Sequence, residues 1–227
     1  KELVGYDRGI LADLTARLGA PVVRSALNMY PETWRKGFDP TLRTFLDPLL
    51  RPEWRTLLAR YDTIVLCDVS ALSAGDSARL QEYVEQGGGV LLGCGSSLEP
   101  GTFEENWGTL FPVEVRELVD RSDDPLTFDT ANLDHAVMSV FRGRSDSGLA
   151  TSPISRLARV QPRPDQGWHI VLPFTSGDPA ILERTVGQGR AVLVTTSLDD
   201  SWGNWVLWPS YVPLLNRLLQ FAMELLV

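Results

Sequence analysis

Two continuous apolar runs, separated by one amphipathic segment, are the clearest feature of the hydrophobic pattern. Residues 62–68 (DTIVLCD) and 90–94 (VLLGC) are short and lack polar alternation, which is typical of strands buried on both faces. Between them, residues 73–89 place apolar side chains at helical spacing, begin with Ser73 as a capping residue and end in three glycines. The pattern predicts a β-α-β unit with parallel strands.

The segments before and after this unit are less regular. Residues 7–18 and the segment from Pro52 have helical spacing, whereas residues 20–50 are rich in proline and ambiguous between strand, helix and loop. After the β-α-β unit, residues 102–115 (TFEENWGTLFPVEV) predict a short helix and then a strand.

The last third of the chain predicts strands and one closing helix. Strand patterns begin after residue 154, with a tight turn at VGQGR, and residues 209–227 carry apolar side chains at helical spacing. No internal break divides the sequence. We therefore expect one three-layer α/β domain over residues 1–227, with parallel core strands and an added antiparallel region.

Composition excludes several classes of partner and cofactor. With a formal net charge of −8, the surface repels phosphate backbones, so we expect no nucleic acid partner and no anionic membrane surface. Two cysteines and two histidines, far apart in sequence, give neither a disulfide framework nor a zinc-ligand spacing, and we expect no metal and no cofactor. Because the chain begins at Lys1 without a methionine and ends abruptly in the apolar FAMELLV, we expect a fragment of a longer protein.

Candidate functional residues follow three of the predicted strands. In open α/β sheets, ligands bind outside the carboxyl ends of the strands, and neighbouring strands would bring their ends to one rim. The candidates for a ligand-binding rim are Asp68, Cys94, Ser96, Ser97, Asp199, Asp200 and Trp202.

Two long segments carry a resemblance to a known family. Residues 61–92 (YDTIVLCDVSALSAGDSARLQEYVEQGGGVLL) and 177–222, which include GRAVLVTTS, DDSWGNW and PSYVPLL, resemble class I glutamine amidotransferase-like domains. Such domains occur in large bacterial membrane proteins, common in planctomycetes, that resemble Bat-type aerotolerance regulators; ThuA-like proteins are similar more distantly. The resemblance implies a flavodoxin-like fold in a chain with transmembrane helices elsewhere.

Cys94 is the residue that could act as a catalytic nucleophile. A working amidotransferase elbow reads Gly-x-Cys-x-Gly, but residues 92–96 read LGCGS, and the segment SLDDSWGNW lacks the His that the resemblance implies as a base. Three interpretations stay open: a small buried hydrophobe, which we favour, a catalytic thiol, or a redox pair with Cys67.

The acidic and hydroxyl candidates also have two interpretations. Asp68, Asp199 and Asp200 are expected to cap turns and helices, with a hard-cation site as the alternative. Ser96 and Ser97 either shape a loop or line a site for a small ligand or anion.

The tryptophans near the end of the chain are the most unusual feature. Trp202, Trp205 and Trp208 lie within seven residues of sequence, and they form either a packed corner or an aromatic surface for a partner or a sugar. We expect Trp205 to be buried and Trp202 to be exposed.

These observations predict a non-catalytic amidotransferase-like domain. It would act as an interaction or ligand-sensing module, with an unknown protein partner or small ligand, in a membrane-associated bacterial protein whose anchor lies outside this fragment. The alternative is a cysteine-dependent hydrolase or amidotransferase that uses Cys94.

Overall fold

The computed structural model describes residues 23–25, 61–72 and 74–223. The helices predicted at 7–18 and from Pro52, and the capping role predicted for Ser73, fall outside the described residues. Within the ambiguous region 20–50, residues 23–25 form a strand.

Eight strands and three α-helices make up the described part of the chain. The strands are β1 (Val23–Ser25), β2 (Thr63–Cys67), β3 (Gly89–Gly93), β4 (Val113–Asp120), β5 (Arg156–Pro162), β6 (His169–Pro173), β7 (Pro179–Val186) and β8 (Gly189–Val194). The α-helices are α1 (Ala74–Glu85), α2 (Pro100–Trp107) and α3 (Tyr211–Met223). Short 3₁₀ helices span Ala136–Phe141, Ser145–Ser147, Leu149–Thr151 and Trp205–Leu207.

A central six-stranded sheet has the order β1-β2-β3-β8-β7-β6. Strands β1, β2, β3 and β8 are mutually parallel, whereas β7 and β6 are antiparallel to their neighbours. The parallel β2-α1-β3 unit and the antiparallel strands late in the chain are as predicted, and the α/β class is confirmed.

Helices cover both faces of the central sheet. In β3, Val90 and Leu92 belong to a buried cluster with residues of α1, α2, β4 and β5. Leu91, between them, belongs to a second cluster with α3 and the 3₁₀ helix Ala136–Phe141. Because successive side chains of a strand point to opposite faces, the continuous apolar run serves two separate cores.

Strands β4 and β5 form a separate antiparallel sheet. Their register runs from Val113 opposite Pro162 to Asp120 opposite Arg156, with an irregularity between Val115 and Glu117. The sequence predicted both strands but not this pairing, because a connection of more than thirty residues separates them.

The hairpin between β7 and β8 depends on a glycine. Gly187 has a φ of +60°, and a Cβ atom there would lie 2.6 Å from the backbone carbonyl oxygen of Glu85. Both the left-handed backbone and the close approach of the end of α1 therefore require this residue. The predicted turn at VGQGR is confirmed.

Candidate functional site

The structure brings the predicted rim residues to one edge of the sheet. Strands β2, β3 and β8 are parallel neighbours, so Asp68, Cys94 and Ser197 follow strand ends on the same side; we call this side the carboxyl edge. After β3 the chain enters α2 on one face, and after β8 it continues to α3 on the other. A crevice between two such diverging connections is where open α/β sheets bind ligands.

Asp68 holds the loop that follows β3. Its carboxylate accepts hydrogen bonds from the backbone N–H of Ser97 at 2.7 Å and from the Ser97 hydroxyl at 3.0 Å. The loop passes so close that a Cβ atom on Gly95 would lie 2.4 Å from the Asp68 carboxylate. Asp68 has a φ of +52°, a conformation uncommon for residues other than glycine. Its carboxylate thus caps a neighbouring loop.

Asp199, which follows β8, makes its hydrogen bonds within its own loop. Asp199 accepts hydrogen bonds from the backbone N–H and the hydroxyl of Ser201, at 2.9 and 2.5 Å, which is a capped turn. Asp200 is exposed. Within the described ranges, no group of three or more His, Cys, Asp or Glu residues has an arrangement that could hold a metal ion.

Trp202 is buried, and the prediction that it is the exposed ring is wrong. Its side chain is 2 % exposed, and its indole N–H donates to the hydroxyl of Ser96 at 3.1 Å. Its backbone N–H donates to the hydroxyl of Ser197, at the end of β8. Trp202 therefore bridges the loops after β3 and β8.

Trp205 forms the packed corner that the sequence predicted. It is 1 % exposed, its indole N–H donates to the carbonyl oxygen of Ser197 at 3.0 Å, and its ring meets Phe128 and Tyr211 edge-on. The large exposed side chain of this region is Leu207, which is 72 % exposed.

Cys94 continues strand pairing and lacks the geometry of a nucleophile elbow. Its backbone N–H donates to the carbonyl oxygen of Val194, and the side chain is 3 % exposed. In the described ranges, only Asp68 and Asp165 have positive φ among residues other than glycine, so Cys94 is not on the strained turn that exposes a catalytic nucleophile.

Both thiols are held in the protonated form. Burial raises the pKa of Cys94 well above its usual range, and the charge of Asp68 adds to this effect. Burial, with Asp199 and Asp68, raises the pKa of Cys67 to about 12. The two cysteines are free, not linked by a disulfide. A neutral buried thiol is a poor nucleophile.

A narrow cleft lies beside Cys94. It is lined by Asp68, Val69, Leu92, Gly93, Cys94, Gly95, Leu98 and Phe103, and it has no room even for a water molecule.

Both histidines of the chain lie elsewhere, at Glu183. The Nδ1 atom of His169 is 3.0 Å from Oε1 of Glu183, and the Nε2 atom of His135 is 3.7 Å from the same oxygen. Glu183 neighbours Leu182 in β7, and Leu182 belongs to the cluster that contains Cys94. Glu183 therefore points to the opposite face, away from the thiol.

Glu183 is a chemically distinctive residue that the sequence analysis missed. It is 4 % exposed, and burial by itself raises its pKa; the hydrogen bond from His169 and the close contact and charge of His135 outweigh burial and leave the pKa lowered. The available signal was a single acidic residue inside the apolar strand AILERTV. His135 lies far away in sequence, whereas His169, 14 residues away, is brought opposite Glu183 by the antiparallel pairing of β6 and β7.

Comparisons with known proteins find similarity in fold. No protein-family model matches the chain, and no curated protein sequence matches it. The cytoplasmic protein STM3548 from Salmonella typhimurium is similar in structure, with a TM-score of 0.63, 22 % identity and 76 % coverage of each chain. The cytoplasmic protein STM1381 from Salmonella typhimurium LT2 also has a TM-score of 0.63, with 17 % identity and 77 % coverage of each chain.

A third similarity is to part of a much larger enzyme. The exo-β-1,4-mannosidase Op5Man5 from Opitutaceae bacterium strain TAV5 matches 63 % of this chain and 22 % of its own, with 20 % identity and a TM-score of 0.43. The two Salmonella structures support the α/β fold. Among the described residues, no helix combines the length and apolar character needed to cross a bilayer.

Proposed function

We propose that this chain is a non-catalytic amidotransferase-like domain, with a three-layer flavodoxin-like arrangement, that serves as an interaction or ligand-sensing module of a membrane-associated bacterial protein. The observation that carries the proposal is the state of Cys94. The thiol is buried, its pKa is raised, and both histidines of the chain are engaged with Glu183 on the other face of the sheet.

The crevice at the carboxyl edge bears on the kind of partner. Trp202 is 2 % exposed, and its indole ties the loop after β8 to Ser96 in the loop after β3. A protein partner on the outer surface is therefore better supported than a small ligand held between the two loops. The net charge of −8 disfavours nucleic acid as that partner. The membrane association rests on the sequence resemblance to domains of bacterial membrane proteins.

The alternative is a hydrolase or amidotransferase that uses Cys94. A thiol nucleophile needs a base within hydrogen-bond reach and an exposed sulfur. To bring His135 or His169 to Cys94, the chain would have to break the Glu183 contacts and cross the sheet. The alternative is retained because Cys94 follows a parallel strand at the carboxyl edge.

Thiol labelling separates the two functions. In a Cys67→Ala variant, Cys94 is the only thiol, and we expect iodoacetamide at neutral pH to label it only after denaturation. A Cys94→Ala variant is the matched control for the labelling. We also expect the Cys67→Ala and Cys94→Ala proteins to release equal amounts of ammonia from glutamine. Rapid labelling of the native Cys67→Ala protein, or ammonia release that depends on Cys94, would establish the enzyme instead.

A further inference from the structure

A single buried carboxylate binds both histidines of the chain. Glu183, His135 and His169, here called the Glu183 cluster, join β7, β6 and the start of the 3₁₀ helix Ala136–Phe141. The Glu183 side chain is 6 % exposed, that of His135 19 % and that of His169 71 %. One imidazole is thus open to solvent and the other is enclosed.

The enclosed histidine has a fixed tautomer. His135 is the N-cap of the 3₁₀ helix, and its Nδ1 atom accepts a hydrogen bond from the backbone N–H of Val137 at 3.2 Å. An accepting nitrogen carries no proton, so in the neutral ring the hydrogen is on Nε2, the atom that faces Glu183. A second proton would have to bind at Nδ1, and it would displace the Val137 N–H.

Protonation of the exposed histidine, His169, breaks no hydrogen bond. Nδ1 of His169 is bonded to Glu183, and a proton gained at the exposed Nε2 atom leaves that bond in place. Protonation therefore has different structural consequences for the two rings. His169 keeps its bond to Glu183, whereas His135 keeps its contact with Glu183 and loses the Val137 N–H.

The surroundings of His135 contain charges of both signs. Glu183 of β7 is the facing anion and His169 of β6 shares it. Arg217 of α3 donates to the carbonyl oxygen of Ala136, and Arg190 of β8 lies over the ring of Phe221, which also contacts the His135 ring. On its own segment, exposed Arg142 donates to the carbonyl oxygens of Leu133 and Asp134. Nε2 of His135 lies 3.7 Å from the Glu183 carboxylate.

We propose that the Glu183 cluster is a proton-sensitive switch in which protonation of His135 breaks its capping bond to Val137, while its existing Nε2 contact with Glu183 becomes an ion pair. The proton comes from solvent and binds Nδ1 of His135. The Val137 N–H loses its acceptor, and the imidazolium is held by the buried carboxylate. Imidazole is the side chain whose unperturbed charge change lies between about pH 5 and pH 8.

The movement is confined to the start of the 3₁₀ helix. Val137, Met138 and Phe141 are at most 4 % exposed, and their burial keeps the helix on α3 when one capping bond is lost. The affected surface is the turn 132–135, in which Asn132 and Asp134 are exposed. The switch therefore alters a local surface and leaves the fold intact.

Amide exchange and imidazole ¹⁵N shifts in the 227-residue chain test the switch. From about pH 8 to about pH 5, we expect the protection factor of the Val137 amide to fall about fivefold, the ratio that corresponds to one lost cap, in step with protonation of His135 Nδ1. Met138 supplies an internal reference, because its N–H donates to the carbonyl oxygen of His135 and not to the ring.

Matched variants decide whether His135 is responsible. Asparagine is a good N-cap that does not titrate, so His135→Asn should retain Val137 protection at both pH values. His169→Gln should keep the pH dependence, because it removes only the exposed ring. Unchanged Val137 protection while His135 becomes protonated would overturn the switch, and so would an equal loss of protection in His135→Asn.

Discussion

Cys94 and Glu183 are both buried residues whose side chains can ionise, and they lie on opposite faces of one sheet. Cys94 is surrounded by apolar side chains and a nearby carboxylate, which together raise its pKa and keep it neutral. Glu183 has two imidazoles beside it, which lower its pKa and keep it charged despite burial. Position in the sheet does not make either group reactive; the neighbours decide its charge.

The same comparison applies to the carboxyl edge, which has the topology of a ligand site. A crevice between diverging connections exists at the ends of β3 and β8, and the buried Trp202 indole bridges the two loops there. The histidines that could have activated a thiol are bound on the other face. The fold provides the place for a site, and the side chains determine whether it is one.

The largest expected loss of stability is from Trp202→Ala, which would remove the ring that bridges the loops after β3 and β8. Truncation of a fully buried aromatic ring costs about 3–5 kcal/mol of unfolding free energy, and this one also leaves the Ser96 hydroxyl without its donor. Chemical denaturation measures the loss. The matched control is Leu207→Ala, at a site that is 72 % exposed, which should change stability by under about 0.5 kcal/mol.

Two outcomes of that experiment would change the comparison. If Trp202→Ala unfolds at the wild-type midpoint, the indole does not contribute to the packing of the carboxyl edge. If the variant is destabilised and Cys94 then becomes reactive to iodoacetamide in the native state, Trp202 is what keeps the carboxyl edge closed.

The sequence predicted the carboxyl edge well at the level of backbone and poorly at the level of side chains. Continuous apolar runs and terminal glycines are local signals, and they placed β2, α1 and β3 within one or two residues. Whether Trp202 is buried depends on Ser96, which is 106 residues away in sequence. Local spacing contains no information on such a contact.

The Glu183 cluster was missed for the same physical reason. A charged residue in an apolar strand signals a paired charge, but β7 alone does not show where the partner is. His135 and His169 reach Glu183 only because the 3₁₀ helix Ala136–Phe141 and β6 pack beside β7. The exposed and buried roles of the two histidines follow from that packing.

The next largest effect is expected at Glu183. Glu183→Ala removes two contacts to imidazoles and leaves a space in a packed face, and we expect a loss of about 2–4 kcal/mol. Glu114→Ala, on an exposed position of β4, is the control and should change stability by under about 0.5 kcal/mol. A loss at Glu183 no larger than at Glu114 would mean that the buried carboxylate contributes nothing to the fold.

A smaller effect distinguishes a buried hydrophobe from a polar thiol at Cys94. Cys94→Ala removes one heavy atom and should cost about 1 kcal/mol. Cys94→Ser is nearly isosteric but buries a hydroxyl, and it should cost about 1–3 kcal/mol because the group has no acceptor in an apolar setting. Urea denaturation compares the two. Equal stability of the Ser and Ala variants would show that the hydroxyl reaches Asp68, and that the site is more polar than its burial indicates.

The smallest effect is a loss of stability at low pH, and it follows from the lowered pKa of Glu183. Burial raises this pKa, but the bonds and charges of the two histidines outweigh burial, so the carboxyl is more acidic folded than unfolded. A group of this kind stabilises the fold above its unfolded pKa, near 4.3 for an ordinary glutamate, and the stabilisation disappears as the pH falls through the folded value. Below about pH 4, the stability of the wild type should therefore approach that of Glu183→Gln, which has no charge to lose. Denaturation midpoints of the two proteins, measured from about pH 6 downwards, should converge; a constant difference would mean that the histidines do not control the charge of Glu183.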